Sequence, residues 1–292
     1  MAQISLFKRI YLSSKKTKNN GVLHFDFVRK SITRKMMEEN HYSNSWYHMF
    51  GKINVGVFKN DELLGVASYG SLKVVGSFKS ICNSLQKNQI VELNRLWIDD
   101  KLKKNAESLL ISQSIKLIKK YHSEIKIIQS FADGRLGCGT IYQASNFKYY
   151  GYHETEFFEH KETGRCYHEM IFHTSSRPIV ITRNLEMLED SFTKFKTRTY
   201  RYLYFIDKRL KSEHQELKYV KEKPYKKYIE WIKDEAQINR WIFNCLKYQF
   251  DKLKKDNFVF SFKKGKYKYT KFMFLNNIHP YTLVNEVCNK RR

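Results

Sequence analysis

The sequence predicts an α/β (α+β) fold in which helices flank a mixed sheet, extended by a basic C-terminal helix and hairpin. The first observation is residues 91–151, which alternate as strand, helix, strand, short helix and strand. Such an alternation predicts neighbouring parallel strands with helices on their faces. The second is that one pair of strand-like segments precedes this stretch and another pair follows it. Each pair predicts two antiparallel strands. The third is composition, because 42% apolar and 15% aromatic residues suffice for a buried core.

The N-terminal part predicts a strand, a helix and a hairpin. Capping residues and alternating apolar positions mark these elements. In chain order they are a strand at 21–29, a helix at 32–40 that Ser31 can cap, and strands at 52–59 and 63–69 joined by a short polar turn.

The central part predicts two parallel strands and two helices. They are a strand at 90–98, a helix that Asn105 can cap, a strand at 125–132, and a short helix at 140–145 after two glycines. Ligands in such folds bind beyond the carboxyl ends of the parallel strands. Four polar residues fall at or near those ends: Arg95, Ser108, Asp133 and Tyr142.

The C-terminal part begins as an antiparallel pair and becomes basic. Its predicted elements are strands at 147–157 and 166–173, a strand at 199–205, helix from 225 to 255, and a hairpin over 258–274 that turns at Lys264-Gly265. The strand at 199–205 carries Tyr200, Tyr202 and Tyr204 on one face. We therefore predict a catalytic core over residues 1–176 and a basic, tyrosine-rich extension over residues 177–292.

The net charge of the chain indicates a polyanionic partner. Lys and Arg number 54 against 29 Asp and Glu, a formal net charge of +25. Residues 191–292 hold 26 of the basic and 10 of the acidic residues, a net charge of +16. Nucleic acid is the usual partner of such a region, although a lysine-rich coding style would give the same excess.

The predicted C-terminal hairpin alternates lysine and tyrosine. One face of it would suit phosphate contacts and base stacking. The alternative is a half-exposed sheet whose tyrosines only cover a core. The candidate DNA-binding residues are Lys263, Lys264, Lys266, Tyr267, Lys268 and Tyr269.

Cysteine usage and hydropathy indicate a reducing compartment. The five cysteines are odd in number and scattered, without a C-x-x-C pair, so neither a disulfide framework nor a zinc site is expected. No apolar run approaches the length of a membrane span, and the N-terminus lacks a signal-peptide core. We expect a cytoplasmic protein that has no membrane partner, and the oligomeric state stays open.

Six short motifs occur in an order that resembles the Mom-like family of phage DNA-adenine modification proteins, which have a GNAT-type acyltransferase fold. The resemblance covers roughly residues 32–224, and the motifs themselves lie between residues 41 and 205. They are His41-Tyr42-Ser43, Glu92-Leu93-x-Arg95-Leu96, Asn105-x-x-Ser108, Ala132-Asp133, Gly139-Thr140-Ile141-Tyr142-Gln143-Ala144 and Arg201-Tyr202-x-Tyr204-Phe205.

The resemblance implies a GNAT-like mixed sheet and a DNA-modifying transferase. The implied reaction adds a carbamoylmethyl (glycinamide) group to the 6-amino group of adenine in duplex DNA. It would protect phage DNA from restriction in the infected bacterial host. Two alternatives stay open: a GNAT-type N-acyltransferase that acts on a protein or small amine, and a non-enzymatic DNA-binding or anti-defence protein.

The resemblance also makes the polar residues at the strand ends candidates for catalysis. Arg95 could offset negative charge on a reacting acyl group, or it could pair with a carboxylate on its own strand. Asp133 could accept from an amine or cap the following helix. Tyr142 could stack on a flipped adenine or lie in the core. Ser108 could bind an anion at a helix start or simply cap it.

His41 completes the candidate catalytic set as a general base or a metal ligand, although a loop histidine often serves neither purpose. The other histidines show no ligand spacing. We therefore name no metal site, and the sequence leaves iron binding open.

Acetyl-CoA or a related acyl donor is the expected cofactor. GNAT enzymes wrap its pyrophosphate in a glycine-containing R/Q-x-x-G-x-G/A loop, but the corresponding residues 99–107 contain no glycine. The candidate cofactor-binding residues are therefore the side chains of Lys101, Lys103, Lys104 and Asn105.

Overall fold

The computed structural model describes residues 10–43, 46–72, 76–168, 192–229, 262–264 and 267–269. The described helices are α1 Lys30–Asn40, α2 Phe78–Ile81, α3 Ala106–Tyr121 and α4 Thr140–Ala144. The described strands are β1 Ser13–Thr17, β2 Gly21–Phe27, β3 Ile53–Lys59, β4 Glu62–Gly70, β5 Ile90–Ile98, β6 Ile127–Asp133, β7 Lys148–His160, β8 Cys166–His168, β9 Phe192–Phe205, β10 Lys227–Tyr228, β11 Phe262–Lys264 and β12 Tyr267–Tyr269.

The chain divides into two compact units. The first comprises the described residues of Met1–His153 and Thr199–Pro224, and the second those of Glu154–Arg198 and Tyr225–Arg292. The predicted division at residues 176 and 177 does not coincide with these units. The physical reason is β9, whose residues 199–205 pair with β6 and so belong to the sheet of the first unit.

The sheet of the first unit confirms the predicted GNAT-like mixed architecture. Its strands follow the order β1-β2-β3-β4-β5-β6-β9, with β7 beyond β9. Neighbours from β1 to β5 are antiparallel, β5 and β6 are parallel, and β6 and β9 are antiparallel. The alternation of residues 91–151 therefore predicted the parallel pair correctly.

Helix α3 packs on this sheet because its apolar residues recur at helical spacing. Leu110, Ile111, Ile115 and Ile118 are buried in one cluster with residues of β2 to β6. On β9, Tyr200 and Tyr202 are fully buried in the same cluster. The predicted tyrosine face of β9 is thus part of the core of the first unit.

The predicted helix caps differ from those in the structure. Helix α1 begins at Lys30, so Ser31 lies inside it. Asn105 does precede α3, but its left-handed backbone, with φ of 74°, comes without a side-chain cap hydrogen bond. Between β3 and β4 the turn is tighter than predicted, because Asn60 and Asp61 both adopt positive φ, as a two-residue hairpin turn requires.

The second unit contains two antiparallel strand pairings and a separate hairpin. β7 pairs with β8 at Phe157↔His168, which confirms the pair predicted there for the described residues. β10 pairs with β9, so the helix predicted from residue 225 is wrong at Lys227–Tyr228; its part from residue 230 lies outside the described residues. β11 and β12 pair as the predicted hairpin, whereas its turn at 265–266 lies outside them.

None of the helices that the structure describes has both the length and the apolar character needed to cross a bilayer.

Candidate active site

The two parallel strands of the first unit pair over only part of their lengths. Their register runs from Ile90↔Ile127 to Leu93↔Ser130. Beyond this point β5 continues to Ile98 and β6 to Asp133, while β6 stays paired with β9 as far as Thr199. The facing edges of β5 and β6 therefore part at Leu93, which opens a cleft between their carboxyl-terminal halves.

A β-bulge in β5 determines which side chains border this cleft. Ser68 pairs with Arg95 and Tyr69 with Leu93, so Asn94 is an extra residue. Leu93 and Leu96 consequently both pack against the main core, although a regular strand would direct them to opposite faces. The bulge places Arg95 directly after the point where the strands part.

Arg95 is a partly buried cation at this position. Its guanidinium carbon lies 4.6 Å from the centre of the Phe50 ring, and Nη1 donates to the Asn94 carbonyl at 2.7 Å. Burial lowers the pKa of Arg95, against the opposing effect of Tyr42, Tyr47 and Glu92 nearby. An arginine still remains charged at neutral pH, so the cleft holds a fixed positive charge.

Glu92 is a buried carboxylate next to Arg95. It accepts hydrogen bonds from Asn94 Nδ2 at 2.8 Å and Gln129 Nε2 at 3.1 Å. Its charge also acts on Arg201 of β9. The sequence suggested Glu92 only as an ion-pair partner for Arg95 and did not single out Gln129. The sequence did contain a signal for Glu92, because a glutamate in the middle of a strand stands there among apolar residues.

The amide oxygens of Asn94 and Gln129 are buried and lack a hydrogen-bond partner among the described residues. Each belongs to an amide whose nitrogen donates to Glu92. An unmet buried acceptor costs about 1–3 kcal/mol. These oxygens add to the negative potential around Arg95.

Asp133, the last residue of β6, forms an ion pair with Arg135. Arg135 Nη2 lies 2.6 Å from Oδ2, and Arg135 Nε donates at 3.0 Å to each carboxylate oxygen. Asp133 Oδ1 also accepts the Arg135 backbone N–H at 2.9 Å. The carboxylate therefore caps the turn after β6 and fixes the Arg135 side chain. It does not cap the following helix, as one alternative from the sequence had it, because Gly139 is the residue that precedes α4.

Tyr142 of α4 is buried below the cleft. Its ring lies 5.4 Å from that of Tyr202, and its hydroxyl hydrogen-bonds the side chain of Ser130, where the strands part. Burial raises the pKa of Tyr142, so the phenol stays neutral. Gly139, with φ of 84°, permits this packing, since a Cβ there would lie 2.7 Å from both Ala132 and Tyr202. Tyr142 is a core residue with its hydroxyl near the cleft.

His41 and Tyr42 approach the cleft from the loop after α1. His41 is buried, and its Nδ1 accepts the Ser43 backbone N–H at 3.2 Å, which places the proton of the neutral ring on Nε2. Burial, with the nearby Arg95, lowers the pKa of His41 to about 4. The Tyr42 residue is 57% exposed, yet its hydroxyl lies in poorly hydrated surroundings near Asp133, which raise its pKa to about 12.

Metal ligands do not converge here. Within the described ranges, no three His, Cys, Asp or Glu side chains lie where they could hold one ion.

Ser108 lies in a different place from the other candidates. It is at the start of α3, where its hydroxyl donates to the Asn105 carbonyl at 3.2 Å. With Lys104 and Asn105 it lines a cavity of about 400 Å³ between α3, the end of α4 and the β1–β2 turn. Lys101 instead pairs with Glu62, and the backbone of Lys103 bonds to Asn20, so these two do not line this cavity.

The structure thus groups His41, Arg95 and Tyr142 around one cleft, with Asp133 close to Tyr42 at its rim. A model of the Mom protein family matches residues 22–227, which include every one of these side chains. The chain belongs to the Mom protein family. It is 32% identical over 202 residues to the methylcarbamoylase Mom of Escherichia phage Mu, across 67% of this chain and 80% of that protein. Family membership confirms the resemblance seen in the sequence and the expectation of an enzyme.

Solved acetyltransferase structures show a more distant likeness. NAA60 from Arabidopsis thaliana in complex with acetyl-CoA has a TM-score of 0.39 at 12% identity and covers 63% of this chain and 99% of its own. An N-acetyltransferase from Staphylococcus aureus Mu50 has a TM-score of 0.34 at 10% identity, with 63% and 97% covered. The fold of the first unit is therefore described by its own strand order and not by these likenesses.

Proposed function

We propose that this Mom-family protein modifies adenine in duplex DNA, placing a carbamoylmethyl group on the 6-amino nitrogen and so protecting phage DNA from host restriction. The observation that carries the proposal is the 32% identity over 202 residues to the methylcarbamoylase of phage Mu. The family match spans the cleft and all its polar side chains, so the likeness includes the chemistry-bearing part.

Access to the 6-amino group requires that adenine leave the base stack. Enzymes that act on a base flip it out and hold it against aromatic side chains. Tyr42 and Tyr47 offer exposed rings near Arg95, at 57% and 47% exposure. We infer that these two rings receive the flipped adenine, whereas the buried Tyr142 supports the cleft from below.

Arg95 would stabilise negative charge on the group that is transferred. A fixed guanidinium beside a partly dry cleft acts on charge that develops during reaction, without reorganisation. In the reaction one N–H bond of adenine breaks and one N–C bond forms, and the leaving group departs with the bonding electron pair. The liberated proton needs an acceptor, and the Asp133–Arg135 pair near Tyr42 is our candidate.

We propose that the donor is a coenzyme A derivative or a related compound. Because the carbamoylmethyl group is attached through its methylene carbon, the bond between that carbon and the carrier must break as the N–C bond forms, since attack on a thioester carbonyl would give an amide instead. Lys104, Asn105 and Ser108 line a cavity at the start of α3, where free backbone amides and a positive helix end suit phosphates. The Lys104 side chain would contribute to phosphate binding in place of the backbone cradle that a glycine-rich loop provides in other acyltransferases.

Mass spectrometry of nucleosides from plasmid DNA, isolated from cells that express the protein, tests the proposed reaction. A deoxyadenosine heavier by about 57 Da, a carbamoylmethyl group in place of one hydrogen, is the expected product. A product heavier by about 42 Da would instead show acetyl transfer. Unmodified adenine in a host that supplies the donor would overturn the proposal.

The same measurement tests the two residues on which we rely most. Arg95→Ala and Asp133→Ala should each abolish the modified nucleoside while DNA affinity stays near that of the wild type. Arg34→Ala is the matched control, because Arg34 lies on the exposed face of α1, where it pairs with Glu38 four residues away. Full modification by either cleft variant would refute its assignment.

A further inference from the structure

A groove of about 620 Å³ lies in the first unit. None of the cleft side chains named above lines it, and it shares Asn146 with the cavity at α3. It forms between the start of β7, the end of β9 and the irregular segment over residues 206–216. We call it the lysine groove. Six of its lining side chains matter here: Lys148, Lys208, Lys211, Tyr150, Tyr204 and Phe205.

The charge of the lysine groove favours an anion. Lys208 and Lys211 are exposed, and in the described part of the chain neither has a carboxylate within ion-pair distance. Lys148 pairs with Glu216, the one acidic residue among those that line the groove, at 2.8 Å. Three ammonium groups against one carboxylate leave a net positive surface.

The floor of the groove is aromatic. Tyr150 and Phe205 lie with ring centres 6.4 Å apart on one face of the sheet, whereas Tyr204, the preceding residue of β9, packs towards the main core on the other face. Burial, with Glu216 nearby, raises the pKa of Tyr150 to about 12, so its hydroxyl stays a neutral donor. Lysine ammonium groups and a tyrosine hydroxyl are donors to the phosphate oxygens of nucleic acids.

Strand β9 connects the groove to the cleft. His214 lines the groove, and its Nε2 lies 3.2 Å from Nη1 of Arg201, which stacks over Phe131 of β6. Phe205 at the groove and Thr199 opposite Asp133 are six positions apart on β9. At about 3.3 Å per residue the separation is about 20 Å, which corresponds to about six base pairs at about 3.4 Å each.

We propose that the lysine groove binds the phosphate backbone of duplex DNA about six base pairs from the adenine that occupies the cleft. This inference rests on the proposed function for the position of the adenine. It adds a DNA contact on the first unit to the DNA-binding residues that the sequence predicts in the C-terminal hairpin. The groove would hold the duplex in register while one base leaves the stack.

Salt-dependent binding to a duplex of about 30 base pairs tests the contact. Lys208→Ala/Lys211→Ala should weaken binding about tenfold and lower the slope of log affinity against log salt by about two, one phosphate for each lysine. The control is Lys15→Ala/Lys16→Ala, because these exposed lysines lie on β1, at the opposite edge of the sheet. The proposal would be overturned if the groove variant kept the wild-type salt dependence, or if the control variant lost as much DNA affinity as the groove variant.

Duplex length tests the position. We would shorten both arms around a central adenine from about ten to about four base pairs, so that the DNA no longer reaches a groove six pairs away. The wild type should lose affinity by about the factor that the double substitution costs, and the groove variant should lose little more. Equal losses in both proteins would refute the proposed geometry.

These measurements separate the two proposals. The binding tests report on the groove even if the wild type leaves adenine unmodified, in which case the proposed function alone fails. If the wild type modifies adenine and the groove variant binds DNA like the wild type, only the groove proposal fails.

Discussion

Two charged side chains of the cleft have important partners that are distant in sequence. Arg95 contacts Phe50, and Glu92 binds Gln129 from the adjacent strand. The sequence singled out Arg95 at a strand and His41 in a loop as candidate residues, and the structure brings the two near one another. The sequence could not predict the Glu92–Gln129 contact, which depends on the register of two strands separated by a helix.

The burial of His41 predicts a pH dependence of stability. Its pKa is about 4 in the folded protein and about 6.5 when unfolded, so between these values the unfolded chain binds more protons. The contribution of His41 is therefore fully present above pH 6.5 and lost as the pH falls to 4, at a cost of about 3 kcal/mol.

Urea unfolding at several pH values would measure this effect. We expect the free energy of unfolding to fall more steeply from pH 6.5 to pH 4 in the wild type than in His41→Gln. The difference between the two curves cancels the contributions of other titrating groups. Parallel curves would show that His41 is protonated equally in both states.

At the scale of single elements, the bulge at Asn94 is the main departure from the sequence prediction. The pattern of residues 90–98 gave the correct bounds for β5, because its apolar residues fit a strand. It gave no sign of the extra residue, since a bulge shows only in the pairing with β4. The same limit applied to Asn105, whose position before α3 was correct but whose backbone conformation prevents the usual cap.

Gly70 supports the bulge, and its substitution should disturb the cleft. A Cβ at Gly70 would lie 2.3 Å from the Met49 carbonyl and 2.4 Å from Asn94 Oδ1, so both would have to move. We expect Gly70→Ala to lower the free energy of unfolding by about 1–3 kcal/mol and to reduce adenine modification, because Phe50 and Arg95 flank these atoms.

Gly76→Ala is the comparison for this variant. Gly76 has φ of 98° but open space around its Cβ position, so only backbone strain of about 1 kcal/mol is expected there. Chemical denaturation of both variants would measure the free energy of unfolding, and nucleoside mass spectrometry would measure adenine modification. Unchanged stability and activity in Gly70→Ala would show that the bulge tolerates movement.

At the scale of the whole molecule, the late strand β9 completes the sheet of the first unit. The sequence identified residues 199–205 as a strand and their tyrosines as one face, yet it assigned them to the C-terminal extension. Composition changes near Arg177, but the partner of a strand is not encoded in composition. Strand pairing across about 70 residues is a long-range choice that the local pattern leaves open.

Truncation provides a direct check on this architecture. A chain of residues 1–176 lacks β9 and so leaves β6 without its antiparallel partner. We expect it to fail to unfold cooperatively, whereas a chain of residues 1–229 should retain the sheet of the first unit. Heat denaturation followed by circular dichroism would measure both, and a cooperative transition in the shorter chain would contradict the role of β9.

The position of β9 also bears on how the protein is made. β6 leaves the ribosome well before residues 199–205, and at roughly 5–20 residues per second it waits several seconds for its neighbour. During that interval β6 has an open edge, and β7, synthesised first, is available to occupy the place that β9 must take. Correct assembly therefore requires the nascent chain to keep β6 and β7 apart until the strand that belongs between them emerges.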